Sequence, residues 1–182
     1  MEILVKDCKE RAVWGMEHFL KVFSFVPDDK LDWTPTPTSK SASRIAAHTA
    51  VYAGVFAKMI RDRKLPFGEE IPDFVTRNEE AEEALCESAP PPAPSPRTNH
   101  RGEGVLGARR AEIERVFRIG TDEVLAALDT LTQEEIGLTL DSGQGWSMPM
   151  TFLMNLPGTH AINHVGQIDY LQTCWGDQDV HF

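Results

Sequence analysis

A chain of 182 residues, 41% apolar and 25% charged, is long enough to bury a core without disulfide or metal staples. Its formal net charge of −10 works against any role that neutralises nucleic-acid phosphates, and no apolar run is long enough to span a bilayer. Cys8, Cys86 and Cys174 are odd in number and form no CxxC pair. They read as reduced thiols, and with no signal-peptide pattern at the N-terminus they predict a cytoplasmic protein of one domain, residues 1–182.

The first helix is predicted over residues 3–26. Leu4, Cys8, Ala12, Gly15, Phe19, Phe23 and Val26 recur at helical spacing, and Pro27 with Asp28 and Asp29 stops it. His18 lies off that stripe and reads as an edge residue. Residues 27–40 are extended and proline-punctuated, with Trp33 as the one large anchor, expected to pack over the end of a bundle.

Ser41 or Ser43 supplies an N-cap for a second helix running to about Arg63. Its inward face reads Ile45, His48, Tyr52, Phe56 and Met59. The basic cluster Arg61, Arg63 and Lys64 suits a helix C-terminus and not a binding patch. From Leu65 to Gly104 the pattern breaks down. Phe67, Ile71 and Phe74 belong to a loop that docks on the bundle, residues 77–87 form a short acidic helical piece, and a Pro-rich stretch over about 86–104 reads as a flexible insertion. His100 falls inside that stretch.

A third helix covers 105–131, with Ile113, Val116, Phe117, Gly120, Val124, Ala127, Leu128 and Leu131 as its stripe. The connection TQEEIGLTLDSGQG is turn-rich and shows no strand partner for Leu138–Leu140. Ser147 is the expected N-cap of a fourth helix that runs through Pro157, kinks there, and ends at Gly176. Four amphipathic segments with one long link between the second and third predict an all-α four-helix bundle.

The anomaly is on the fourth helix. His160 and His164 stand four residues apart, so both imidazoles project from one face, with Ile168, Leu171 and Trp175 continuing it. Two such imidazoles can share one transition metal if a third ligand comes from elsewhere, and His48 is a third inward histidine. Three neutral nitrogens leave a position open for water or substrate. They suit zinc, nickel, iron(II) or copper, which spacing alone does not rank. Gln167, one turn beyond His164, reads equally as a partner of that ring or a packing amide, and Gly166 as a place of close helix approach. Histidines that serve structure alone remain the alternative.

SxSRIAAH ending at His48, H-x-x-x-H-x-G-Q-I-x-x-Y-L from His160, and LDWTP ahead of the second helix together resemble the DinB/YfiT-like family of metalloenzymes. The resemblance spans nearly the whole chain except residues 77–104. It implies a four-helix bundle, often a homodimer, with a divalent metal, zinc or nickel foremost, held by His48, His160 and His164. It also implies a small-molecule substrate: relatives of this kind include metal-dependent transferases of low-molecular-weight thiols. A metal-dependent hydrolase, and a non-catalytic metal-binding or dimerisation bundle, stay open beside that reading. No catalytic side chain beyond the ligands is indicated.

Overall fold

Each of the four apolar stripes folds as a helix near its expected bounds. The structure, a computed structural model, describes residues 2–66, 70–87 and 103–181, with the side chains of 103–106 left aside. The stripe begun at Leu4 becomes α1 (Glu2–Ser24), and the second becomes α2 (Ala42–Asp62). Between them comes one 3-10 turn at Asp28–Lys30. Of the two candidate caps for α2, Ser41 takes the position, its hydroxyl accepting from the Arg44 amide. Next come α3 (Ile71–Glu87), α4 (Glu103–Asp129), the single turn α5 (Gln133–Ile136) and α6 (Met150–Trp175). The Pro-rich stretch and His100 lie outside the described residues.

Two apolar clusters fill the bundle and reveal its direction. One gathers Phe19 and Phe23 from late α1, Ile45 and Ala46 from early α2, Ile113 and Phe117 from early α4, and Ile168 and Leu171 from late α6. The other gathers Cys8, Ile60, Leu128 and Leu153, the opposite ends of the same four helices. Hence α1 and α6 run one way and α2 and α4 the other. Each parallel pair packs side by side, and α2–α6 and α1–α4 contacts close the ring.

This order dictates the long link. The 21 residues of α2 cover about 30 Å at about 1.5 Å per residue, and α4 must start again at the end where α2 began. The chain therefore has to travel back along the bundle, and α3 is that return, lying against α2. Its helix is longer than the short acidic piece expected: Ile71 and Phe74, assigned to a loop, are already helical, while Phe67 falls outside the described residues. Pro72 sits in the first turn, where a missing N–H costs nothing.

By contrast, α4 ends at the end of the bundle where α6 begins, and the two need only a tight connection. It contains a two-stranded antiparallel ribbon, β1 (Thr139–Asp141) with β2 (Ser147–Pro149), Leu140 opposite Met148. The expectation of no strand partner for Leu138–Leu140 is thus corrected. Gly143 and Gly145 take positive φ of 68° and 80°, and the Ser142 hydroxyl donates to the Trp146 carbonyl, folding the chain over within five residues. Ser147 accordingly belongs to β2 and does not cap α6. Pro149 holds the cap position without a side-chain bond, and the Met150 amide donates to the Leu138 carbonyl.

Helix ends are pinned by specific contacts. Arg63, in the left-handed conformation (φ 51°) at the C-terminus of α2, pairs with Glu135 at 2.9 Å and donates to the Thr130 carbonyl. Trp33 meets Trp175 edge-on at 5.8 Å over one end of the bundle, as its isolation in the loop suggested. Close helix approach is not at Gly166, where an added Cβ would meet nothing within 4 Å. It occurs instead at Gly120, whose added Cβ would lie 2.8 Å from Ala53 Cβ and from the Gly54 amide of α2.

Candidate metal centre

The histidines stand beside the core stripes and not at their centres. On α6 the buried line is Pro157, Ala161, Val165 and Ile168, so His160 and His164 sit about 100° around the helix from it. On α2 the buried line is Ile45, Thr49, Ala53 and Phe56, with His48 and Tyr52 at its edge. All three imidazoles are half-buried where α2 faces α6, at the flank that α3 crosses. The inward face expected for them is in fact the rim of that face.

There the three rings converge. His160 Nε2 lies 3.2 Å from His48 Nε2 and 3.1 Å from His164 Nε2, and one donor atom from each of the three falls within 4.8 Å of the others. Donors about 2.0–2.1 Å from a common ion are about 3.0 Å apart at a right angle and about 3.4 Å apart at a tetrahedral one. The two separations made by His160 lie in that interval and the third donor pair falls within 4.8 Å, which fits a shared divalent ion. Pro157 inside α6 therefore leaves the His160–His164 pair intact.

The outer ring atoms decide the tautomers. His48 Nδ1 is 2.7 Å from Glu82 Oε1, and His164 Nδ1 is 2.9 Å from Gln167 Oε1. Both oxygens accept, so both Nδ1 atoms carry the proton and both Nε2 atoms present lone pairs to the cluster. His160 Nε2 can donate to only one of them. Three convergent nitrogens with at most one shared proton make a poor hydrogen-bond network and a good ligand set. Of the two roles weighed for Gln167, the bond to His164 is the one found.

Protonation is resisted as well. Burial, followed by the charges of His164 and His48, pushes His160 down to about 3, and burial likewise lowers His164. Both are neutral, ligand-competent imidazoles near pH 7. Tyr52 and Phe56 wall the centre: the Tyr52 ring is 4.3 Å from His48 and 5.5 Å from His160, and Phe56 meets His160 edge-on at 5.2 Å. Burial, then the charge of Glu82, raises the Tyr52 hydroxyl above its ordinary value, so it is a neutral phenol.

On its α3 side, next to His48, lies a cavity of about 370 Å³ lined by Lys40, Arg44, His48, Tyr52, Glu79, Glu82 and Glu83 among others; His160 and His164 do not line it. Glu82 is the residue that sequence reasoning missed. In EEAEEALCE it is one glutamate among several, and nothing in its spacing marks it. Two other histidines lie far from the centre in their contacts. His18 stacks on Trp14, and His181 bonds Asp177 and stacks on Phe25. Among the described residues no helix is long and apolar enough to cross a membrane.

Comparison with known proteins agrees with the fold. The sequence model of the DinB superfamily matches residues 12–168. A crystal structure of a DinB-like protein (YjoA) from Bacillus subtilis superposes with a TM-score of 0.59 at 15% identity, covering 97% of this chain and 96% of that one. At that identity the likeness speaks for the fold alone. No curated protein sequence matches the chain.

Proposed function

This chain belongs to the DinB superfamily, and on that premise we propose that it is a metal-dependent enzyme whose divalent ion is held by His48, His160 and His164. The reaction assigned to it is transfer of a low-molecular-weight thiol to an electrophilic small molecule, with zinc or nickel as the foremost ions and iron or copper as alternatives. The observation that carries this reading is the convergence of three Nε2 atoms, two of them fixed as lone-pair donors by Glu82 and Gln167.

Such an ion, when bound, supplies a Lewis acid that lowers the pKa of a coordinated thiol and delivers a thiolate at neutral pH. The protein's own part is to keep His160 and His164 neutral through burial, to present the three rings from two helices braced against each other, and to leave a cavity beside His48 on the α3 side. The phenol of Tyr52, uncharged and against two of the rings, is placed to orient a substrate there. A cytoplasmic homodimer belongs to the same reading, from the reduced cysteines and the family resemblance.

Two measurements test it. Metal analysis of the purified protein is expected to find about one divalent ion per chain, lost in His164→Ala; absence of stoichiometric metal from the wild type overturns the reading. Thiol consumption with a panel of electrophiles is expected to stop on chelation and to return with added metal. Metal binding without chelator-sensitive turnover would leave a binding bundle in place of an enzyme.

A further inference from the structure

The feature that the metal reading does not absorb is α3. The topology requires a crossover beside α2, but it does not require that crossover to reach the histidines. It does so at one residue. Leu85 is buried among the core residues of the bundle and Cys86 packs against that cluster, which seats the C-terminal half of α3. One turn earlier on the same face, Glu82 turns its carboxylate to His48.

Glu82 differs from its neighbours. Its side chain is only 17% exposed, as is that of His48, whereas Glu79, Glu80, Glu83 and Glu87 are exposed. Its second oxygen is 3.8 Å from Lys40 Nζ, a loose contact to a side chain that is itself half in solvent. The short bond is therefore the one to the ring. Nor is Glu82 a fourth ligand: it holds Nδ1, which points away from the ion position at Nε2, and one carboxylate cannot serve both sides of an imidazole.

We propose that Glu82 is a positioning residue of the metal centre, orienting His48 and raising the basicity of its Nε2, and that α3 is thereby a working part of the site. The proposal rests on the metal reading above. A carboxylate on the far nitrogen of a metal-bound histidine fixes the tautomer and the ring plane, and its removal typically weakens metal binding about 10- to 100-fold. Because the contact lies between the crossover helix and α2, metal binding is also expected to protect α3 from local opening.

The test uses the full chain with Co²⁺ as probe, its affinity taken from competition with a chromophoric chelator and its geometry from the visible spectrum. The expected order is wild type, then Glu82→Gln about tenfold weaker, then Glu82→Ala weaker again, with an altered spectrum and faster metal release. Glu80→Ala, exposed on the same helix, is expected to match the wild type, and far-UV circular dichroism checks that each variant is folded. Hydrogen exchange over residues 71–87 is expected to slow when Co²⁺ is added to the wild type and to slow less in Glu82→Ala. A wild type that binds no Co²⁺ overturns the metal reading itself. A wild type that binds while Glu82→Ala binds within twofold, with the same spectrum, overturns the role of Glu82 alone.

Discussion

Gly15 of α1 and Gly158 of α6 face each other where the two parallel helices touch: a Cβ added to Gly15 would lie 2.8 Å from the Gly158 carbonyl oxygen, and one added to Gly158 would lie 2.6 Å from the Arg11 carbonyl oxygen. Both obstacles are backbone, so neither helix can yield by turning a side chain. Gly158→Ala is expected to push α1 off α6 and to lower stability by about 1–3 kcal/mol, the usual range for overpacking. Urea denaturation measures it. His160 is two residues further on, so Co²⁺ affinity is expected to fall in the same variant, while Gly166→Ala, with nothing within 4 Å, is expected to leave that affinity unchanged and to raise stability by about 0.5–1 kcal/mol through helix propensity.

A second expectation concerns acid stability. The guanidinium of Arg63, then the amide of Thr132, hold Glu135 down at about 2. An unfolded glutamate titrates near its ordinary value of about 4.5, so between about 4.5 and 2 the unfolded chain binds the extra proton and stability falls with pH. The contribution is whole above that window and lost as pH drops through it. Thermal melts of Glu135→Gln against the wild type should differ at pH 6 and converge toward pH 2. Curves that stay parallel across the window would show that the pair contributes nothing.

Gln172 is 2% exposed on α6, and neither its amide nitrogen nor its amide oxygen has a hydrogen-bond partner among the described residues. A buried polar group without a partner costs about 1–3 kcal/mol. Gln172→Met, similar in length and apolar, is expected to raise the melting temperature. An unchanged or lower value would mean that the amide is satisfied in solution.

The three cysteines are unpaired and differ in access: Cys8 is buried, Cys86 half-buried and Cys174 exposed. Burial raises the thiols of both Cys8 and Cys86, which slows them further. A chromogenic disulfide reagent should therefore titrate one thiol per folded chain promptly, and all three in denaturant. Mass mapping should place the prompt label on Cys174.

What could be read from residues alone follows the strength of the periodic signal. The stripes of α1, α2, α4 and α6 run for many turns with large apolar side chains, and they were legible to within a few residues. His48, His160 and His164 were legible because polar side chains read onto an apolar face stand out, although the structure sets them at its edge. The start of α3 was not, since among its described residues only Leu85 is buried and its surface resembles solvated loop. The ribbon β1–β2 was hidden because three-residue strands carry no alternation to count. The role of Glu82 depends on where a crossover passes α2, a tertiary fact with no trace in local spacing. The sharper lesson is at Gly166 and Gly158: the sequence alone assigns close approach to Gly166, and the packing of α1 puts it at Gly158.

Imidazole is an uncharged ligand, which has a consequence for electroneutrality. A dication among His48, His160 and His164 would keep its formal charge, offset only across one ring by Glu82. On a chain of net charge −10 the loaded centre would be a local spot of positive potential, beside a cavity whose charged lining is mixed, Lys40 and Arg44 against Glu79, Glu82 and Glu83. Its remaining position would favour a donor able to give up a proton on binding, and a thiol that ionises there would meet that condition better than a donor that stays neutral.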